Sequence, residues 1–101
     1  MIRHIVWWTL KDRADGFSAA QNAQRILAAS AALKDIPAVH SVEVSADIEP
    51  SSTARAQIVL QSTHDSPEAL QEYAVHPVHL EFARLIQAAC ENRQALDYRV
   101  D

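Results

Sequence analysis

The sequence predicts a single α+β domain, spanning residues 1–101, in which helices cover one face of a four-stranded antiparallel sheet. Short segments rich in β-branched and aromatic residues are separated by longer segments with apolar residues at helical spacing. The 101 residues suffice for one modest core. A chain that is 49% hydrophobic and 22% charged is typical of a folded globular domain.

The first strand is predicted at residues 2–9, IRHIVWWT, which are rich in residues that favour strands. Alternation places His4 and Trp8 on one face and Ile5 and Trp7 on the other. Because both faces carry large apolar side chains, we expect this strand to be covered on both sides.

The first helix is predicted at residues 19–35. Ser18 can cap its N-terminus, and Gln21, three residues later, completes a capping box. Apolar residues recur at helical spacing through this segment. Pro37 marks its end.

Two strands follow this helix. Residues 38–45, AVHSVEVS, alternate in polarity and predict the second strand. Residues 47–55 include a proline and two serines, which is typical of a loop. Residues 56–62, AQIVLQS, predict the third strand.

The second half of the chain predicts two consecutive helices and a last strand. Ser66, followed by proline and glutamate, is a strong helix start, and this helix is expected to run to Val75. Pro77 disfavours helical geometry at the residue before it, so we expect a break there. A further helix to Asn92 and a strand at residues 94–100 complete the chain.

The resulting order, βαββααβ, predicts a ferredoxin-like fold with a split second helical element. The helices would cover one sheet face and leave Ile5 and Trp7 exposed on the other. An exposed apolar sheet face usually forms an interface. We therefore predict a homodimer through the open sheet face, with the two sheets packed against each other.

Composition excludes several classes of protein. The formal charge is −4 and the nine basic residues are scattered, which argues against nucleic-acid binding and, more weakly, against an anionic membrane surface. A single glycine, Gly16, rules out a glycine-rich phosphate loop. A single cysteine, Cys90, forms no internal disulfide, so a cytoplasmic setting is expected. No apolar run approaches the roughly 20 residues that a membrane span needs.

Residues 73–82, YAVHPVHLEF, contain a candidate site. Helical spacing turns Tyr73 and His79 towards the seam between helix and sheet, where they could share a proton-transfer site with His4. The alternative is structural: His76 caps backbone amides at the helix break, Tyr73 packs in the core, and His79 bonds a strand residue such as Asp97. Because proline separates the two histidines, we expect no metal site.

Four strings carry a resemblance to a known family: IRHIVWWTLKD, IPAVHSVEV, SPEALQEYAVHPVHLEF and LDYRV. The central pattern YxxHPxHxxF is the most specific of these. The sequence resembles the stress-responsive A/B barrel (Dabb) domains along nearly its whole length. The resemblance implies a dimeric α+β barrel.

The resemblance also implies a function. One characterised relative, the plant olivetolic acid cyclase, catalyses an intramolecular aldol cyclisation without a metal or organic cofactor. By motif position, His79 resembles its base, Tyr73 its catalytic tyrosine and His4 its strand histidine. Gln57 replaces a further pocket histidine, which is a departure from that enzyme. The residues expected to bind ligand are Trp8, Gln57, His76 and Phe82.

Two functions remain open from the sequence, and a third, a monooxygenase of the related ferredoxin-like dimer type, is disfavoured because the HPxH string is typical of the Dabb branch. The first is a protein that binds a small hydrophobic ligand in a helix–sheet cleft and acts as a cofactor-independent acid–base enzyme of the cyclase or lyase type. The second is a non-catalytic, oligomeric stress-responsive or structural protein. A cavity touching His4, Tyr73 and His79 would favour the first function.

Overall fold

The computed structural model describes all residues, 1–101. It contains six strands and three α-helices. In chain order these are β1 Ile2–Leu10, β2 Arg13–Ala14, β3 Phe17–Ser18, α1 Ala19–Ser30, β4 Ser41–Ser45, β5 Ile58–His64, α2 Pro67–Val75, α3 Pro77–Ala89 and β6 Cys90–Arg99. A 3₁₀ helix, Ala31–Asp35, follows α1 directly.

The main sheet has the strand order β4-β5-β1-β6, and every pair is antiparallel. Strand β1 therefore lies inside the sheet, between β5 and β6. Paired residues share a face, so His4 lies beside Ser62 on one side and Asp97 on the other. This arrangement confirms the predicted α+β plan with four antiparallel strands.

One face of the sheet is covered by the helices. Val6, Ile58 and Leu60 on this face belong to one apolar core with Ile26 from α1 and Phe82 from α3. Burying this area supplies the main driving force for folding. The helices do not extend over β6, and its residues after Cys90 are all exposed to solvent.

The helix starts follow the predicted chemistry. The hydroxyl of Ser18 accepts from the backbone N–H of Gln21, and the Gln21 side chain accepts from the N–H of Ser18, which completes the capping box. The Ser66 hydroxyl accepts from the N–H of Ala69 at the start of α2. These contacts satisfy amides that have no partner inside the helix.

Several predicted boundaries were wrong. The first helix is α-helical only to Ser30 and continues as the 3₁₀ helix. The second strand begins at Ser41, and the third occupies Ile58–His64 instead of residues 56–62. The last helix stops at Ala89 because Cys90 already pairs with Leu10 of β1, so tertiary strand pairing overrides the local helical pattern.

A short hairpin, β2–β3, was not predicted. Its turn consists of Asp15 and Gly16, both at positive φ, of 54° and 82°. Asp-Gly is a favoured sequence for such a turn, so the signal was present in the sequence. Each of its strands has only two residues, which is too short for an alternating pattern to be visible.

The other sheet face is open. Ile5 and Trp7 of β1 lie on it, together with Leu96 and Tyr98 of β6, which pair with residues of that face. Leu96 and Tyr98 are among the most exposed large apolar side chains of the chain. The predicted open apolar face is therefore present.

Candidate functional site

A cavity of about 300 Å³ lies between the helices and the covered face of the sheet. Strand β1 contributes His4, Val6 and Trp8 to its lining, and Tyr73 contributes from the end of α2. From α3, the lining includes His79, Phe82 and Ile86, and the first residues of β6 complete it. The structure therefore brings the three predicted catalytic residues to one cavity.

His79 is held in one tautomer by its backbone contact. Its Nδ1 lies 3.0 Å from the carbonyl oxygen of Ala74 and must donate, because a carbonyl only accepts. In the neutral ring Nε2 is then an unprotonated acceptor, and it has no partner in the chain. Burial lowers the pKa of His79 below 6.5, so the ring is neutral near pH 7.

Tyr73 is almost fully buried, at 1% exposure, between two imidazole rings. Its ring centre lies 4.6 Å from that of His79 and 4.8 Å from that of His64. The hydroxyl has no hydrogen-bond partner in the chain. Burial raises the pKa of Tyr73 to about 12, so this hydroxyl keeps its proton and can donate a hydrogen bond to a ligand atom.

His4 is oriented by a carboxylate. Its Nδ1 lies 2.5 Å from Oδ1 of Asp97, which faces it across the β1–β6 pairing. A carboxylate at Nδ1 fixes the ring orientation and leaves Nε2 for other contacts. The sequence suggested Asp97 as a partner for His79, but the structure pairs it with His4.

His64 is a buried residue that the sequence analysis did not single out. It lies beyond the predicted third strand, residues 56–62, but it is the last residue of β5 and is fully buried. Its Nδ1 donates to the carbonyl of Ala38 and its Nε2 accepts from the hydroxyl of Ser62. Burial lowers its pKa below 6.5. Alternation from Leu60 through Ser62 could have placed it on the covered face, had the strand been extended by two residues.

The predicted ligand-binding residues divide into two pairs. Trp8 and Phe82 line the cavity. Gln57 and His76 do not line the cavity, because each side chain accepts a hydrogen bond from a backbone N–H outside it. The Gln57 side chain accepts from the N–H of Leu10, and His76 Nδ1 accepts from the N–H of Val78, so His76 caps α3 as the structural alternative held.

No group of three potential metal ligands is close enough to hold an ion. Cys90 lies in the cavity lining, but burial raises the pKa of its thiol to about 11. A thiol with such a pKa stays protonated and is a poor nucleophile. No helix of the structure combines the length and apolar character needed to cross a membrane.

Comparison with known proteins places this geometry in a family. The model of the stress responsive A/B barrel domain matches residues 2–100. A stress-response A/B barrel domain-containing protein, HS1, from Arabidopsis thaliana is 37% identical over 41 residues. That match covers 41% of this chain and 38% of the relative, so the chain matches well under half of that protein's length.

Two solved structures resemble the whole chain. A dimeric protein of unknown function with a ferredoxin-like fold, from Bacteroides fragilis, is 25% identical with a TM-score of 0.81, covering 98% of this chain and 95% of that one. A hydroxynitrile lyase from Passiflora edulis is 26% identical with a TM-score of 0.76, covering 99% and 93% of the two chains. The ferredoxin-like fold is thus confirmed.

The unpartnered hydroxyl of Tyr73 generates the first prediction. A buried hydroxyl without a partner costs about 1–3 kcal/mol. Tyr73→Phe should therefore leave the free energy of unfolding unchanged or raise it by up to about 1 kcal/mol in urea titrations. Tyr98→Phe, which removes a hydroxyl that accepts a hydrogen bond from Arg3 on the open face, is the comparison variant and should lower it by up to about 1 kcal/mol. A loss of more than 1 kcal/mol in Tyr73→Phe would show that the hydroxyl is structural.

The lowered pKa values of His64 and His79 lead to a second prediction, on how stability depends on pH. Both groups bind protons more weakly in the folded chain, so the unfolded chain takes up protons first as the pH falls. The free energy of unfolding should be at its full value above about pH 6.5 and should decrease as the pH falls through the folded-state pKa values. Urea titrations between pH 7.5 and 5 measure this, and a flat profile would contradict it.

Proposed function

The chain belongs to the stress-responsive A/B barrel (Dabb) domain family, and from that premise we propose that it is a cofactor-independent lyase or cyclase. Its substrate would be a small hydrophobic carbonyl or hydroxyl compound bound in the helix–sheet cavity. One observation carries the proposal: a buried Tyr73 hydroxyl without a partner lies beside a neutral His79, at a cavity large enough for a small ligand.

In the lyase direction, His79 is the base. Its Nε2 removes the proton of a substrate hydroxyl, and the oxygen electron pair forms a carbonyl as the adjacent carbon–carbon bond breaks. The electrons of that bond leave with the carbanion, which takes the proton back from the imidazolium. Tyr73 donates a hydrogen bond to the oxygen while it carries negative charge.

The cyclase direction uses the same groups. His79 removes a proton from a carbon next to a carbonyl, and the resulting carbanion adds to a second carbonyl of the same molecule. The new alkoxide accepts a hydrogen bond from Tyr73 and then a proton from His79. Both directions need a neutral base and a protonated donor around one oxygen, which is what burial of these side chains favours.

His4 also lines the cavity, and we infer that it contributes a further hydrogen bond to the substrate oxygen. The Asp97 carboxylate holds its ring and would stabilise an imidazolium if His4 takes up a proton. The lyase direction is supported by the likeness to the hydroxynitrile lyase from Passiflora edulis, and the second candidate is ligand binding without turnover, as a stress-response protein.

We also propose that the protein is a cytoplasmic homodimer through its open sheet face. The Bacteroides fragilis protein, which resembles it over nearly its full length, is dimeric. The open face of this chain carries Ile5, Trp7, Leu96 and Tyr98, and a second copy would remove them from water. Face-to-face packing of two such sheets encloses their apolar side chains, as in a sheet sandwich.

A turnover assay tests the catalytic proposal. We expect the protein to release benzaldehyde from mandelonitrile, an aromatic cyanohydrin, measured by absorbance. His79→Ala should lower kcat/KM by at least about 100-fold, because it removes the base. His40→Ala, at an exposed histidine outside the cavity, is the matched control and should keep full activity.

An equal decrease of kcat/KM in His79→Ala and His40→Ala, or full activity in His79→Ala, would show that His79 is not the base. Binding of mandelonitrile by calorimetry, with no release above the rate without protein, would favour the non-catalytic candidate instead.

Light scattering tests the dimer. The protein should have twice the 11.2 kDa mass of one chain, and Trp7→Glu should yield the single-chain mass because it buries a charge in the proposed interface. Leu80→Glu changes an exposed leucine on α3 and should leave the dimer intact. A native protein with the mass of one chain at micromolar concentration would refute the dimer.

A further inference from the structure

Strand β6 contains a bulge at the cavity. Trp7 of β1 pairs with Gln94 of β6, and Thr9 pairs with Glu91. Two residues of β6, Asn92 and Arg93, therefore lie opposite the single residue Trp8 of β1. Bulges of this kind redirect side chains and are frequent next to active sites.

The bulge is locked by specific contacts. Asn92 adopts a φ of 58°, a left-handed conformation that asparagine tolerates better than most residues. Its side-chain amide donates to Oγ1 of Thr9 at 2.8 Å, and Oγ1 of Thr9 donates to the carbonyl of Glu91 at 3.3 Å. The distortion is therefore a fixed part of the strand.

The bulge separates two opposite charges. In a regular strand, Glu91 and Arg93 would lie on the same face. Glu91 and Arg93 both belong to the cavity lining. The pairing of Glu91 with Thr9 directs the Glu91 side chain towards the open face at the cavity's edge. Arg93 lies one residue from Gln94, which pairs with Trp7 on the open face, so its side chain points to the covered face that carries the cavity.

Arg93 is thus the arginine of the cavity lining, and Glu91, two residues earlier, is its one carboxylate. Its guanidinium forms neither of the two ion pairs in the chain, which join His4 to Asp97 and Arg84 to Glu81. Its charge also acts on the interior, because it is one of the groups that lower the pKa of His79, together with His4 and His64 after the larger effect of burial.

We propose that Arg93 binds the carboxylate of the ligand, so that the site takes a hydrophobic carboxylate whose apolar body lies against Trp8 and Phe82. This inference rests on the proposed function, since the same compound would present its carbonyl or hydroxyl group to Tyr73 and His79. A planar guanidinium matches a carboxylate with two parallel hydrogen bonds, which suits this role.

Charge along β6 fixes the direction of the ligand. Arg93 and Asp97 lie on the same strand face, four residues or roughly 13 Å apart at about 3.3 Å per residue. Asp97 is occupied by His4 and would repel an anion. The carboxylate therefore lies at the Arg93 end. A cavity of about 300 Å³ accommodates one aromatic ring with a short side chain.

A matched pair of ligands tests this proposal. Calorimetry would compare 3-phenylpropionate with its neutral amide, 3-phenylpropanamide. The native protein should bind the carboxylate about fivefold more tightly, the ratio that corresponds to about 1 kcal/mol for an exposed charge pair. Higher salt should reduce that ratio. Arg93→Gln should bring the ratio to one while amide binding stays unchanged.

Arg99→Gln, on the same strand but outside the cavity, should retain the preference. In Arg93→Gln, the pKa of His79 followed by NMR should rise, an effect that a merely structural role of Arg93 would not produce. Equal affinity of the native protein for acid and amide, or a preference that survives Arg93→Gln, would overturn the carboxylate site. Failure of both compounds to bind would count against the ligand-binding function itself.

Discussion

The pairing of β1 with both β5 and β6 is the constraint on which the site depends. Because β1 lies inside the sheet, its register with each neighbour decides which side chains face the helices. That register places His4 on the covered face, with Ser62 on one side and Asp97 on the other. A slip of one residue would move His4 to the open face and separate it from the cavity.

The break between α2 and α3 is the second constraint. Proline at position 77 has no backbone N–H, and His76 before it is extended, with a ψ of 139°. The side chain of His76 accepts from the N–H of Val78 and so starts the second helix. With the helices reset in this way, Tyr73 at the end of one and His79 near the start of the other pack against each other, with their ring planes tilted by 55°.

Much of this arrangement could be predicted from the sequence, because it depends on local signals. Alternation in β1, the serine caps and the proline break are all visible in short windows, and they were sufficient to bring His4, Tyr73 and His79 to one seam. Contacts between distant segments were not accessible. The pairing of His4 with Asp97 spans 93 residues, and the bulge at Asn92 exists only because β6 must match β1.

Burial gives the cavity groups complementary roles from a single physical cause. A low-dielectric surrounding disfavours charge on any group, so it keeps the His79 imidazole unprotonated and the Tyr73 hydroxyl protonated. One group is then a base and the other a hydrogen-bond donor at the same pH. The same effect keeps the thiol of Cys90 protonated, which removes a nucleophile that could form a covalent intermediate. The proposed reaction therefore relies on proton transfer and not on a covalent intermediate, and this choice follows from where the fold buries these side chains.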